Sequence, residues 1–214
     1  MKKPTKPDYS DYLVHFTKPN KAGANPDTIR ELPELNKMTA RNRLLSILNL
    51  QTIYASSMYW KMGEAVCFTE CPWTSLLTHA SRYSKYGVGF SKGKIFAAGG
   101  GPVYYVRPDH FQKQQWDSHL KPFITPFWPQ YRPEALDEKV PENMQKTIDF
   151  GHEREWRIPH RFEFEYENIE FVILPDYHSM AEFPADLKDA IGREKFLMID
   201  QYKTIERIWP VHKF

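Results

Sequence analysis

The chain has 214 residues, of which 15% are aromatic and 26% charged, and its 17 prolines outnumber its 10 glycines. This length and aromatic content predict one folded domain with its own core, and they exclude a disordered, collagen-like or coiled-coil chain. The 29 basic and 27 acidic residues leave a net charge of +2. A nucleic-acid partner would therefore need a local basic patch rather than a global positive field.

Cysteine spacing and hydropathy predict a reduced, cytoplasmic protein. Cys67 and Cys71 lack the second Cys/His pair that a structural zinc site needs, so we expect two free thiols. The sequence contains no run of 18 apolar residues and no apolar stretch near the start of the kind found in signal peptides. These features predict no membrane partner.

Taken in chain order, the pattern predicts an α+β domain with more strand than helix. Residues 1–10 are rich in lysine and proline and predict a flexible basic arm, followed by a single domain over 11–214. Strands are predicted from β-branched and aromatic runs at 12–17, 51–55, 65–69, 87–90, 102–106, 156–158, 161–166, 170–174 and 205–209. Helices are predicted at 39–48 (capped by Thr39), 73–83, 108–122 and 184–196. The remaining long segments are a loop at 18–38, with one short helical turn, and an extended proline and aromatic stretch at 122–133.

Two glutamates flank Arg154, and on a strand both carboxylates would face the same side. Close carboxylates perturb each other's pKa, and they suit acid–base work, metal binding or stabilisation of a sugar cation. The same pattern also fits strand-edge residues, with Glu153 and Glu155 paired to Arg154, Arg157 or Arg161. The local pattern leaves both interpretations open.

Two further positions could carry chemistry. His15 precedes Phe16 and Thr17 at the end of the first predicted strand, where a lone histidine is equally consistent with a structural role. Glu70 lies between the two cysteines, and its charge suits the N-terminus of a helix starting near Pro72.

Motifs that define other classes of site are missing. A restriction-type nuclease would need a lysine after its glutamate pair, and a zincin would need a second histidine where Trp156 stands. The sequence also contains no phosphate-binding loop of the Gly-x-x-x-x-Gly-Lys type and no Gly-x-Ser-x-Gly elbow.

Several blocks together resemble the AbiGi family of bacterial abortive phage-resistance loci. They are LVHFT at 13–17, VCFTECP at 66–72, YSKYGVGFSK at 83–92, GPVYYV at 101–106 and EREWR at 153–157. The resemblance covers about residues 12–175. It implies phage defence, often beside a partner gene in a toxin–antitoxin-like pair, and therefore a cognate partner protein.

A more distant similarity concerns chemistry. An opening His-Phe-Thr strand and a later strand starting with Glu are similar to the ADP-ribosyltransferase superfamily, especially the DarT-like enzymes that modify DNA bases. This similarity implies an ADP-ribosyltransferase-like fold over 11–214, namely a split, mostly antiparallel sheet with helices packed outside. It also implies that the chain uses NAD and attaches ADP-ribose to a macromolecular acceptor, either nucleic acid or protein.

The same similarity implies roles for particular residues. Glu155 would be the catalytic carboxylate and Glu153 would orient the acceptor, while His15, with Phe16 and Thr17 beside it, would contact NAD. Breaking the bond to nicotinamide passes through an oxocarbenium-like state, which a carboxylate close to the ribose stabilises.

The remaining expected NAD contacts are a cation and an aromatic ring. Arg41 and Arg43 are the nearest cations for the pyrophosphate, and Arg43 is the preferred one. Tyr54, Tyr59 and Trp60 are candidates to stack on nicotinamide, with Tyr54 preferred.

A non-catalytic protein with the same fold is the main alternative. It would be an antitoxin or a binding module, with segment 122–133 as its recognition surface. Exposed aromatic rings there would suit a partner protein or, with Lys121 and Arg132 alongside, stacked single-stranded bases. The same rings could instead cover the core as a wrapped loop.

Overall fold

The computed structural model describes residues 10–18, 28–58, 63–70, 80, 81, 83–127, 149 and 151–208. Its strands are β1 (Tyr12–Phe16), β2 (Thr52–Tyr54), β3 (Ser56–Ser57), β4 (Glu64–Thr69), β5 (Gly87–Ser91), β6 (Gly101–Pro102), β7 (Tyr104–Val106), β8 (Ile124–Pro126), β9 (Glu155–Pro159), β10 (Arg161–Glu163), β11 (Ile169–Leu174) and β12 (Phe196–Met198). Its helices are α1 (Ala40–Leu50), α2 (Lys92–Ala97), α3 (Pro108–Lys113), α4 (Tyr177–Ala181), α5 (Ala185–Ile191) and α6 (Ile199–Ile208).

An eight-stranded sheet forms the centre of the described residues. Its strand order is β12–β11–β5–β1–β4–β9–β6, with β3 also paired to β4. Every pair is antiparallel except β11 with β12. Two small ribbons accompany the sheet, β10–β2 antiparallel and β7–β8 parallel. The prediction of an α+β fold with a mostly antiparallel sheet is therefore confirmed.

The sheet opens between β1 and β4. These strands share only the pair Val14–Thr69. By contrast, β1 pairs along its whole length with β5, and β4 pairs from Ala65 to Thr69 with β9. The short strand β3 pairs with the opposite end of β4. Beyond Val14, no backbone hydrogen-bond ladder joins β1 to β4, and side chains of both strands face the opening.

Apolar side chains cover both faces of the sheet. On one face Phe68, Phe90 and Phe162 meet edge to face, with ring centroids 5.0–6.2 Å apart. Helix α1 packs there, and the predicted cap is confirmed because the Thr39 hydroxyl accepts from the Asn42 amide at 3.2 Å. A smaller cluster, which includes Phe171, covers the other face.

Gly89 in β5 leaves room for the ring of Phe171. A Cβ at this position would lie 2.4 Å from Phe171 Cζ. We expect Gly89→Ala to lower the free energy of unfolding by about 1–2 kcal/mol, measured by urea denaturation, because the overlap outweighs the gain in strand propensity. Gly93→Ala in α2 is the matched control, since a Cβ there meets nothing within 4 Å. Equal stability of the two variants would contradict this packing argument.

Several predicted elements differ from the structure. The predicted strand at 205–209 is wrong, because residues up to Ile208 belong to α6. Isoleucine or tyrosine recurs at 199, 202, 205 and 208, a helical spacing that is not visible within five residues. Helix α2, capped by Ser91, lies between the strands predicted at 87–90 and 102–106, where no helix was predicted.

Three other predicted elements are shorter in the structure. The helix predicted at 108–122 ends at Lys113, the helix predicted at 184–196 ends at Ile191, and the strand predicted at 161–166 ends at Glu163.

Some predictions fall outside the described residues. They include positions 1–9 of the basic arm, most of the helix predicted at 73–83, residues 128–133 of the aromatic stretch, and Cys71. Within the described part, segment 122–126 forms the end of a 3-10 turn and β8, so it is not wholly without an element. None of the described helices is long and apolar enough to cross a membrane.

Candidate functional site

A cavity of about 350 Å³ is lined from both sides of the opening by β1 and β4. All seven residues predicted for the site lie in its wall: His15, Phe16, Thr17, Arg43, Tyr54, Glu153 and Glu155. Helix α1 and strands β2, β3, β8 and β9 supply further parts of the wall. The volume lies near the lower end of the roughly 300–1,000 Å³ typical of ligand pockets.

His15 spans the opening with its side chain. Its Nδ1 lies 2.9 Å from the Cys67 carbonyl oxygen, which can only accept, so Nδ1 carries the proton. Burial lowers the pKa of His15 to about 4. The hydrogen bond to Cys67 raises this pKa and the nearby charge of Arg43 lowers it, but burial has the largest effect. At neutral pH the ring is therefore uncharged, with Nε2 as a hydrogen-bond acceptor.

The two glutamates reach the cavity from different backbone elements. Glu153 ends a 3-10 turn, Arg154 adopts φ of 44°, and β9 begins only at Glu155. The expectation that one strand carries both glutamates is therefore wrong. The turn is held by the Thr69 hydroxyl, which donates to the Glu153 carbonyl at 2.6 Å, and by the Glu70 amide, which donates to the Arg154 carbonyl at 3.4 Å.

Glu153 is buried and accepts hydrogen bonds from a phenol. Tyr83 Oη lies 2.9 Å from Oε2 and 3.2 Å from Oε1. Burial and the charge of Glu153 raise the pKa of Tyr83, so its hydroxyl stays a donor. Burial, followed by the charges of Glu155 and Glu153, also raises the pKa of Tyr105.

Glu155 pairs with an arginine two residues further along β9. Arg157 Nε lies 2.7 Å from Oε1 of Glu155, and Nη2 lies 3.1 Å from Oε2. The alternative interpretation of an ion pair with a neighbouring arginine thus holds for Glu155. Arg154 instead lies 3.9 Å from Glu70. Arg161 forms ion pairs with Glu31 and Glu163.

Thr17 and Arg43 form hydrogen bonds that connect neighbouring elements of the cavity wall. The Thr17 hydroxyl, which is fully buried, donates to the Ala40 carbonyl at 2.9 Å. Arg43 donates from Nε and Nη2 to the Leu35 carbonyl at 3.2 and 2.8 Å. These contacts connect β1, α1 and the 3-10 turn Pro33–Lys37, so both side chains support the shape of the site.

Of the other candidates for NAD contacts, one lines the cavity and one does not. Tyr54 is half-buried at the end of β2 and lines the cavity. Arg41 donates to the Glu182 carbonyl at 3.1 Å and is not part of the cavity wall. Tyr59 and Trp60 lie outside the described residues.

Glu70 forms a buried ion pair. Its Oε1 lies 2.6 Å from Lys92 Nζ, with both side chains about 90% buried, and its Oε2 accepts from Trp156 Nε1 at 3.4 Å. The predicted start of the helix that Glu70 was expected to cap, near Pro72, lies outside the described residues. Its observed role is to join β4, α2 and β9 next to the Glu153–Glu155 turn.

Two contributors to the site, Thr69 and Tyr83, were not predicted from the sequence. Arg157 was considered only as an ion-pair partner of the glutamates and not as part of a cavity wall. Thr69 and Tyr83 lie in two of the five motif blocks that carry the family resemblance, and that location was the available signal. Among the described residues, no group of three or more His, Cys, Asp or Glu side chains could hold a metal ion.

Arg154 occupies a left-handed conformation that is unfavourable for a side chain with a Cβ. We expect Arg154→Gly to raise the free energy of unfolding by up to about 1 kcal/mol, because the conformational strain is relieved. The Arg154 side chain lies 3.9 Å from Glu70 at a partly exposed position, and the loss of side-chain contacts must be separated from the relief of strain. Arg154→Ala is the control, since it removes the same contact but keeps the strain. Thermal denaturation of both variants measures the difference, and a glycine variant no more stable than the alanine variant would contradict the argument.

Comparison with family models matches residues 55–186, more than half of the chain, to the family described as "Putative abortive phage resistance protein AbiGi, antitoxin". No curated protein and no solved structure matches the chain. The matched segment contains β4, Tyr83, β5 and both glutamates of the cavity. It begins after β1 and α1, so His15 and Arg43 lie outside it.

Proposed function

The chain belongs to the AbiGi family of abortive phage resistance proteins, and we propose that it is a phage-defence protein that binds NAD and transfers ADP-ribose to a macromolecule. The observation that carries the proposal is the convergence of His15, Glu153, Glu155 and Arg43 on one cavity. The first two of these residues are separated from each other by most of the chain.

The chemistry of the cavity wall fits part of a dinucleotide. Neutral His15 offers Nε2 to a hydroxyl donor, and two carboxylates lie where positive charge can be stabilised. Arg43 and Lys18 supply positive charge, and Tyr54 supplies an aromatic ring. Because the cavity has a volume of only about 350 Å³, it suits the nicotinamide–ribose half better than the whole molecule.

The proposed residue roles follow from these positions. When bound, NAD supplies a glycosidic bond whose cleavage releases nicotinamide and passes ADP-ribose to a nucleophile, which loses a proton. Glu155 stabilises the positive charge that develops on the ribose. His15 accepts a hydrogen bond from a ribose hydroxyl, and Glu153, held by Tyr83, faces the acceptor. The fold belongs to this proposal as an ADP-ribosyltransferase-like split sheet.

The test uses the full chain and NAD labelled in its ADP-ribose part. Single-stranded DNA, RNA and bacterial protein are offered as acceptors, and release of nicotinamide is followed separately. NAD should also slow alkylation of Cys67, which lines the cavity, as measured on that peptide by mass spectrometry. The absence of all three results (transfer, nicotinamide release and protection of Cys67) would rule out the proposal. Protection without transfer or release would show that the chain binds NAD but does not turn it over.

A second candidate is a non-catalytic antitoxin that binds a cognate protein. The antitoxin description of the family favours it, as does the close pairing of Glu155 with Arg157. This candidate predicts that a protein from the same locus co-purifies with the chain and loses its toxicity on co-expression. If the antitoxin role is correct, Glu155→Gln and His15→Ala variants should still abolish the toxicity of the partner protein on co-expression.

A further inference from the structure

Arg157 lies in the wall of the cavity, but its guanidinium has no N–H left for a ligand. An arginine has five N–H donors. Nε donates to Glu155 Oε1 at 2.7 Å, and Nη1 donates to the carbonyls of Pro122 and Ile124 at 2.9 and 3.3 Å. Nη2 donates to Thr125 Oγ1 at 2.8 Å and to Glu155 Oε2 at 3.1 Å. All five donors therefore have acceptors within the protein.

The carboxylate on the other side of this pair keeps capacity for a ligand. An ionised carboxylate has about four acceptor positions, and Arg157 occupies one on each oxygen of Glu155. Each oxygen therefore retains a position for a hydroxyl donor in the cavity. The two members of the pair therefore differ: every N–H of the Arg157 guanidinium is already used, whereas the Glu155 carboxylate can still accept hydrogen bonds from a ligand.

Burial makes this arrangement costly unless the geometry is well defined. The side chains of Arg157 and Glu155 are 7% and 12% exposed. A carboxylate this buried and without a cation would adopt another rotamer. The two-point contact restricts that movement, and contacts to the backbone at 122–124 and to Thr125 restrict the guanidinium in turn.

We propose that Arg157 is a positioning residue that orients the Glu155 carboxylate toward the cavity, with the segment 122–125 as its anchor. The inference rests on the proposed function in assigning chemistry to Glu155. The segment 122–125 thereby gains a role that its proline and aromatic composition does not suggest, as a support for the site through its carbonyl groups and one hydroxyl.

The kinetic test compares Arg157→Lys with Thr125→Val. Lysine keeps the charge but cannot form the fork, so we expect kcat for nicotinamide release to fall about 100-fold while KM changes less than about threefold. Thr125→Val removes one anchor and should lower kcat about fivefold, the equivalent of one hydrogen bond. Arg161→Lys, an exposed ion-pair variant on β10, is the control and should stay within about twofold. A purely structural role would lower thermal stability without changing kcat per folded molecule, and that result would overturn the proposal.

A crystal structure without NAD separates this inference from the proposed function. In Arg157→Lys the Glu155 carboxylate should leave the position in which it accepts from Nε and Nη2 of Arg157 at 2.7 and 3.1 Å, because one ammonium cannot form both hydrogen bonds. If this variant does not fold, Thr125→Val replaces it, with a smaller displacement expected. A carboxylate that keeps its position overturns the proposal. A displaced carboxylate in a protein that never consumes NAD supports the inference and contradicts the proposed function.

Discussion

Glu155→Gln should lower the rate of nicotinamide release about 100- to 1,000-fold, the largest effect expected of any single substitution in this chain. Glutamine has nearly the same shape, so it removes the negative charge with little change of volume. Because that charge acts on the transition state more than on bound NAD, we expect kcat to fall while KM changes little. Steady-state kinetics at several NAD concentrations distinguish the two constants.

The substitution also affects the partner of Glu155. A glutamine oxygen can accept from Arg157, but its amide group cannot, so one buried guanidinium N–H is left without an acceptor. We therefore expect a loss of about 1–3 kcal/mol in the free energy of unfolding, and rates must be expressed per folded molecule. Glu170→Gln on the exposed side of β11 is the matched control for both measurements. A Glu155→Gln enzyme within about threefold of the unmodified rate would refute the catalytic role.

Lowering the pH from 7.5 to 4.5 should destabilise the protein through His15. Its pKa is about 4 in the folded chain, against about 6.5 in an unfolded chain. The folded state therefore binds fewer protons between these values, so stability is complete above pH 6.5 and declines as the pH falls toward 4. The decline is at most about 3 kcal/mol, and less in practice because the ring is only half-buried.

Urea unfolding at pH 7.5, 6.0 and 4.5 measures this dependence. His15→Asn should reduce the slope, because the amide can still donate to the Cys67 carbonyl but does not titrate. The control is His178→Asn, since the His178 side chain is 82% exposed and should contribute little. Carboxylates that titrate in the same range affect all three proteins alike, so the difference between variants reports on His15. Parallel slopes for the unmodified chain and His15→Asn would show that the pKa of His15 is not lowered in the folded protein.

The elements that were predicted well are those whose signal is local. Strand β1 and helix α1 were placed within one or two residues because β-branched and aromatic runs, a capping threonine and helical spacing all lie within a short window. The last part of helix α6 was taken for a strand because only residues 205–209 were considered, and three apolar residues in a run of five do not distinguish the helical period from the strand period.

The residues of the cavity could be identified, but their contacts could not. The likeness of the His-Phe-Thr and Glu-x-Glu blocks to known proteins selected five positions, and the expected need of NAD for a cation and an aromatic ring added Arg43 and Tyr54. The fold places all seven in one wall. The left-handed turn at Arg154 has no such signal, because it depends on Thr69 and Glu70 from a strand more than eighty residues earlier. The same reason applies to Tyr83, whose contact with Glu153 exists only once β4 and β9 are paired.

The central position of β1 bears on how the chain can be divided. The segment shared with the family begins at residue 55, after β1, yet β1 lies between β5 and β4 in the sheet. A fragment limited to residues 55–186 would lack the strand that joins its two halves, and it would present two long unpaired edges. The boundary of sequence similarity is therefore not a folding boundary. Residues before 55 complete the sheet, and the half of the cavity that contains His15 and Arg43 depends on them.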